Sequence, residues 1–595
     1  MTEFLQRLKQ RKLVQWAIAY AAFAFALIQV LDVIAQRFAW PDQLERILIL
    51  ALAVGFLVVL VLAWYHGERG AQRVSGTEIV ILALLLAIGG GLLWRFARVS
   101  NAVAASIARS PDAAQRNPGS ASPTIPVAAI PAQSVAVLPL ANESGEKDQQ
   151  YFSDGLSEDL INALSQFGGL KVISRNSSFQ FRDSKQSSAA IGQALGVAHL
   201  LEGSVQKLGD EVRISAELVN AADGSTLWSQ HYDRPYKDLF ALQDDITQAV
   251  AGALKAKLLA SSGAARQSDR PPSGNLDAWN AYSRGRFYDA LIDPGDERRA
   301  IGFYERAIAL DPRYARAYAS LSLSWTTLAG TFLGGEEQRQ AFAKARTAAN
   351  QALRLDPDAA IAHDARGLLL QWVDFDWGGA DAEYRRALEL APTDSTPRSI
   401  LGRSLATLGH PQQAISMLRM AITTDPRNGR TWGWLGWTLA AAGQLDEAEQ
   451  AARKAHGLVP GSPFVSTGLV IVQIQRGENK AALLSARQIP GLWGSIAVAF
   501  ASQGGDDHAA ADAALQNLIA KQADAAAYQI AEVYGLRRDP DNMFKWLDRA
   551  WDTRDSGLGR LLTDPFILRY KDDPRFAAFC KKVGLPTTTD AKGMP

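Results

Sequence analysis

Residues able to do chemistry are present in this chain, but not at spacings that would make them act together. The seven histidines, at 66, 199, 231, 363, 410, 456 and 508, include no i, i+4 pair and no His-Glu-x-x-His zinc motif. No Gly-x-Ser-x-Gly elbow, no phosphate loop ending in Gly-Lys-Ser/Thr and no dinucleotide fingerprint occurs. Glu158 and Asp159 are adjacent carboxylates, yet neighbours on a helix point about 100° apart, so they read as a helix start rather than an acid/base pair. His199 and His231 fall on expected strands and would meet only if the fold brought them together; without ligand spacing, ordinary strand histidines are the better reading. The single cysteine, Cys580, excludes an internal disulfide framework. The expectation is therefore no enzyme, no cofactor and no metal site.

The strongest pattern is a repeated phrase. Ala307-Ile-Ala-Leu-Asp-Pro312, Ala352-Leu-Arg-Leu-Asp-Pro357, Ala387-Leu-Glu-Leu-Ala-Pro392, Ala421-Ile-Thr-Thr-Asp-Pro426 and Ala455-His-Gly-Leu-Val-Pro460 each close a helix. Their prolines fall 45, 35, 34 and 34 residues apart. A 34-residue period is the signature of tetratricopeptide repeats, helix pairs that bury their apolar faces only by stacking. The 45-residue interval predicts a longer connection near Gly330 to Gly335. Small residues recur where two helices must approach: Gly285, Gly367, Gly402, Gly436, Ala414 and Ala448.

Three apolar runs occupy the first hundred residues: Leu13 to Leu31, Ile47 to Tyr65 and Ile79 to Trp94. A membrane helix needs roughly 20 apolar residues, so three spans are expected. Arg7, Lys9, Arg11, Lys12, Arg69 and Arg73 outweigh Arg37, Arg46, Arg95 and Arg98 on the other side. That bias places the N-terminus inside and the bulk of the chain outside, in the periplasm of a bacterium. With 62 basic and 61 acidic side chains and a net charge of +1, the chain lacks the basic stripe of a nucleic-acid binder.

Between two Pro/Ser/Ala-rich stretches, strand and helix patterns alternate. Val135 to Leu140 and Lys171 to Ser174 read as strands, Tyr151 to Phe167 and Ser188 to Leu195 as helices. Leu200 to Leu208 and Glu211 to Val219 flank a Gly209-Asp210 hairpin turn. Thr226 to Asp233 is a further strand, and Leu239 to Leu258 an amphipathic helix. The phrases Val135-Ala-Val-Leu-Pro-Leu140, Tyr151-Phe-Ser-Asp-Gly-Leu-Ser-Glu-Asp-Leu-Ile161, Leu201-Glu-Gly-Ser-Val205 and Leu227-Trp-Ser229 resemble the TolB amino-terminal/FlgO-like domain of bacterial multi-domain repeat proteins. The tail, with Leu547-Asp-Arg-Ala550, Asp564-Pro565 and Asp573-Pro-Arg-Phe576, resembles the same proteins. Such proteins often carry a nucleotide cyclase or a winged-helix domain; the membrane spans take that place here, so neither activity carries over.

The expected organisation is multi-domain: membrane helices over 1–99, a flexible linker over 100–133, an α/β FlgO/TolB-N-like domain over 134–260 and a second linker over 261–274. An all-α tetratricopeptide solenoid follows over 275–460, then degenerate helical repeats with a C-terminal cap over 461–586 and a tail over 587–595. By register, Asp364, Trp372, Arg403, Arg430 and Trp437 lie on the concave face, where arginine pairing and aromatic contact would hold a protein or peptide. The alternative is that the tryptophans are core between repeats and the arginines are solvated. The expected function is an inner-membrane, multi-pass scaffold contacting lipid through its N-terminal helices and recruiting a protein through the solenoid. A second reading is an envelope-sensing regulatory component of a signalling pathway. Neither the partner nor the oligomeric state is legible.

Overall fold

The computed structural model describes residues 130–587 except 146–148, 256, 259–269, 291–293, 334 and 524. The three expected membrane spans, most of both linkers and the tail from 588 lie outside the described residues. Among the described residues no helix is long and apolar enough to cross a membrane.

The small sheet domain begins with β1 (Ser134–Val137), whose Val135, Ala136 and Val137 are fully buried. A strand apolar on both faces belongs inside a sheet with parallel neighbours. β1 indeed pairs in parallel with β4 (Lys171–Val172) and β5 (His199–Leu208), while β2 (Ala141–Asn142) continues alongside β5. β5, β6 (Glu211–Asn220) and β7 (Thr226–Pro235) form an antiparallel meander. Its first turn is the expected two-residue Gly209-Asp210, with Gly209 at φ +59°. Gly203 has to be glycine, because a Cβ there would collide with the Ser215 carbonyl oxygen on β6.

Val212, Ile214, Ala216 and Leu218 line one sheet face and pack against α1 (Gln150–Leu164) and α4 (Leu239–Ala253). Around Ala136, Leu200 and Val219 the other face is covered by Phe181 and by Ile191 and Leu195. These follow α2 (Arg175–Ser178) and lie on α3 (Ser188–Leu195), respectively. Two expectations need correction. Glu158 and Asp159 sit in the third turn of α1, not near its start. The helix from Leu239 stops at Ala253, because Lys255 takes a left-handed φ of +53°. Beyond it β8 (Lys257–Leu258) pairs antiparallel with β3 (Phe167–Gly168).

The solenoid starts with the pair α5 (Leu276–Asp289) and α6 (Pro294–Leu310), then α7 (Ala315–Phe332) and α8 (Gly335–Leu355). The next pairs are α9 (Ala360–Leu369) with α10 (Trp377–Leu390), α11 (Ser395–Thr407) with α12 (Pro411–Thr424), and α13 (Gly429–Ala441) with α14 (Leu445–Leu458). Each repeated phrase ends the second helix of a pair, where a proline just past the terminus cannot continue it. Asn275, Asp376, Asp394 and Asn428 cap first or second helices by accepting backbone N–H bonds. The glycines act as expected. A Cβ at Gly285 would lie 2.5 Å from the Tyr304 ring, and one at Gly367 equally close to Tyr384.

The 45-residue interval is not a long connection. α7 and α8 run 18 and 21 residues against 13 or 14 in the fourth and fifth pairs, so the insertion lengthens both helices. Helical pairs continue past Pro460 from Pro463–Gln475 to Pro540–Asp552. The C-terminal part is more than a terminal cap, because it returns to the repeats. The Trp377 indole donates to the Val583 carbonyl at 2.8 Å, and Phe375, Trp377 and Trp437 join one core with Tyr528, Leu558, Phe566 and Cys580.

Candidate binding surfaces of the solenoid

Of the five side chains expected on the concave face, the structure brings Arg403 and Arg430 together. The Arg403 guanidinium lies 4.9 Å from the centre of the Trp434 ring, and its buried Nε has no hydrogen-bond partner. Burial lowers its pKa to about 10, and the charge of Arg430 adds to that. Arg430 keeps an exposed face, yet surrounding protein lowers its pKa as well. Among the described residues no carboxylate pairs with either arginine. An arginine resting on an indole without an acid partner is held flat and left with N–H donors to give.

The other three have different places. Trp437 is core, 5% exposed, stacked on Phe464 at 5.4 Å and covered by Arg560 at 4.6 Å. Trp372 is half-buried and lies on the backbone at Gly330, where a Cβ would be 2.6 Å from its ring. For these two the core alternative holds. Asp364 is 5% exposed and has an unpartnered Oδ1, so it faces a cavity rather than open groove. Burial first, and the charge of Asp394 second, push its pKa well above the usual carboxylate range.

Sequence reasoning missed the junction between the α/β domain and the solenoid. Glu158 meets Arg175 at 2.9 Å and also pairs with Arg286. Asp159 accepts from Gln243 and from the Trp279 indole, both at 2.8 Å. A Cβ at Gly155 would lie 2.8 Å from Ser283 Oγ, so this glycine lets α1 approach α5. The repeat turns hold the other end. Asp425 accepts from Ser177 Oγ at 2.6 Å, Ser177 Oγ in turn accepts from the Arg427 N–H at 2.8 Å, and Asp311 accepts from the Ser273 N–H at 2.9 Å. The available signal was the aspartate of the recurring Asp-Pro turns, which the periodicity reads only as a helix end. Residues 270–274, expected as linker, are fixed here: Arg270 binds Asp244 at 2.6 Å.

Two cavities open along this junction. One of about 740 Å³ lies among Asp159, Asn162, Arg270, Arg313, Arg316 and Asp356. The other, about 310 Å³, lies among Ser174, Arg175, Arg316, Asp364 and Asp394. Asp159 lines the first, Glu158 and Asp364 line the second, and no histidine lines either. His199 pairs with Asn220 and His231 with Ser215, which is roughly 16 Å away along β6. His363 is held by Glu383 at 2.7 Å and the Pro357 carbonyl at 2.8 Å. Among the described residues no group of three His, Cys, Asp or Glu could hold a metal.

Comparison with known proteins divides along the same line. Residues 131–249 match the family model of the second domain of HilA/YgeH-like transcriptional regulators, a different model from the TolB/FlgO likeness expected for that stretch. Residues 401–463 match a tetratricopeptide repeat model. A protein of Rhizobium meliloti (strain 1021) called putative adenylate cyclase 3 is 34% identical over 248 residues, 41% of this chain and 41% of its own length. Small glutamine-rich tetratricopeptide repeat-containing protein 2 of Mycosarcoma maydis is 26% identical over 18% of this chain and 30% of its own. The chain thus spans less than half the length of these curated relatives. Among solved structures, the tetratricopeptide protein YrrB covers 36% of this chain and 97% of its own at 20% identity and a TM-score of 0.25. Yeast Tom70 covers 52% and 67% at 14% identity and a TM-score of 0.31. At such scores these two carry no argument about function. The sequence period, the paired helices and the matching repeat model together make the C-terminal part of this chain a tetratricopeptide repeat protein.

Proposed function

We propose that this chain is a membrane-anchored scaffold that recruits a protein or peptide through its solenoid and has no catalytic step of its own. The observation that carries the reading is the Arg403–Arg430 pair beside Trp434, two guanidinium groups that no acid among the described residues neutralises. Elsewhere in the solenoid, arginines such as Arg346, Arg386, Arg419 and Arg476 sit in ion pairs. The partner that fits is an acidic segment, one carboxylate bridging both arginines and an apolar side chain on the indole. A peptide array probed with the full chain tests this. Acidic peptides should be retained above neutral ones of equal hydrophobicity, with retention falling as salt rises. Equal retention of both sets refutes the reading.

The anchor, the periplasmic placement and the FlgO/TolB-N character of the α/β domain are part of the same proposal, resting on the apolar runs, the charge bias and the phrases quoted above. Their test cannot use the native thiol. Cys580 is fully buried, and burial raises its pKa to about 11. A Gln186→Cys variant places a thiol at an exposed position. Labelling by an impermeant reagent once the outer membrane is opened supports the periplasm, whereas labelling only after the inner membrane is breached places the domain in the cytoplasm. An envelope-sensing role is the second reading, favoured by the hydrogen bonds that tie Ser177 of the α/β domain to the Asp425 repeat turn.

A further inference from the structure

The α/β domain leaves one long strand with a neighbour on one side only. β7 is the last strand of its sheet and, among the described residues, pairs with β6 alone. Antiparallel strands send the N–H and C=O groups of successive residues to opposite sides. The Tyr236 N–H reaches the Asp210 carbonyl at 2.6 Å, so Arg234, Tyr232, Gln230 and Trp228, in the same phase, bond to β6. Ser229, His231 and Asp233 therefore turn theirs outward, and all three residues are exposed. Sheets blunt such an edge with lysines or with prolines inside the strand. β7 has no lysine, its one proline is its last residue, and its charges, Asp233 and Arg234, sit together at that end. At the opposite end Leu227 is 48% exposed.

This uneven strand matches its own reverse. Two copies related by a two-fold axis meet through the same patch, so their edge strands run antiparallel and the charged end of each faces the uncharged end of the other. With His231 on the axis, Asp233 falls opposite Ser229, Arg234 opposite the half-buried Trp228, Tyr232 opposite Gln230, and Pro235 opposite Leu227 of the second copy. Asp233 and Arg234 thus meet no like charge, a guanidinium comes to an indole, and the exposed leucine gains cover. A parallel arrangement would instead set Asp233 on Asp233 and Arg234 on Arg234.

We infer that β7 is a dimerisation edge, to which a second copy of this chain adds its own β7 antiparallel about His231. The three outward residues of each copy then exchange about six backbone hydrogen bonds, and the two sheets become one. The edge is separate from the Arg403–Arg430 surface and stands or falls without it.

Thiol crosslinking of the full chain tests the pairing, since the buried Cys580 stays silent. A His231→Cys variant should give a crosslinked dimer with a short bis-maleimide, whereas Gln186→Cys, also exposed, should not. Adding Ser229→Pro removes an outward N–H that the β6 ladder does not use, so the crosslink should fall several-fold. Ser229→Asp, set against Asp233 of the second copy, should lower the yield, and Ser229→Lys should raise it. A His231→Cys yield no higher than that of Gln186→Cys overturns the proposal. So does a yield that Ser229→Pro leaves intact, or one that is equal for Ser229→Asp and Ser229→Lys.

Discussion

Among the arginines that lie on tryptophan rings, Arg560 and Arg403 differ in their acid partners. Arg560 covers Trp437 at 4.6 Å and is paired with Glu532 at 3.0 Å, with Asp564 and the Tyr528 hydroxyl joined at 3.0 Å nearby. Arg403 covers Trp434 at 4.9 Å, and no carboxylate among the described residues pairs with it. In the first, burial works to lower the Arg560 pKa, but Glu532, Tyr528 and Asp564 form a charge network in the C-terminal core that outweighs it and holds Arg560 above its usual value. In the second, burial and a like charge lower the pKa instead. The same local contact is thus a structural element in one place and an unsatisfied donor in the other. Compensation by a carboxylate, rather than exposure or residue type, separates the two roles.

Breaking the compensated pair should have the largest effect. Glu532→Ala leaves Arg560 buried without a partner, which costs about 3–5 kcal/mol, read as a lower denaturation midpoint in urea. Loss of the α/β contact comes next. Ser177→Ala removes bonds to Asp425 and to the Arg427 N–H and should cost roughly 1–3 kcal/mol, with unchanged acidic-peptide binding. A pH series sharpens the comparison at another uncompensated group. Glu297 is buried near Asp289, and its pKa is pushed up to about 8 from 4.5, by burial first and by Asp289 second. Such a carboxyl keeps its proton in the folded chain where the unfolded chain has lost it, so its contribution to stability falls as pH climbs from about 4.5 to about 8. Glu297→Gln should remove this loss, melting progressively higher than the parent across that window, with the gap closing below it. The smallest effect on stability belongs to Arg403→Gln, within about 0.5 kcal/mol, because no ion pair is lost.

Much of the architecture was legible because it is periodic. The five phrases mark the ends of α6, α8, α10, α12 and α14, and the alternation in Val212 to Leu218 gives the buried sheet face. The surface was legible only in part. Register finds the first helices but cannot tell Trp437, covered by a segment more than a hundred residues downstream, from a groove residue. Nor can it see that Asp364 faces a cavity closed by another domain. Long-range packing has no linear period, so the docking of Glu158 and Asp159, read as a helix start, was hidden in the same way.

The most direct test of the account is the affinity of one acidic peptide, chosen from the array, for the parent chain and for an Arg403→Gln/Arg430→Gln variant, with unfolding of both followed alongside. The account requires an affinity loss of about tenfold or more in the variant, together with an unfolding midpoint that stays where it was. Equal affinity, or a loss that comes only with a collapse in stability, would show that these arginines are structural like Arg560.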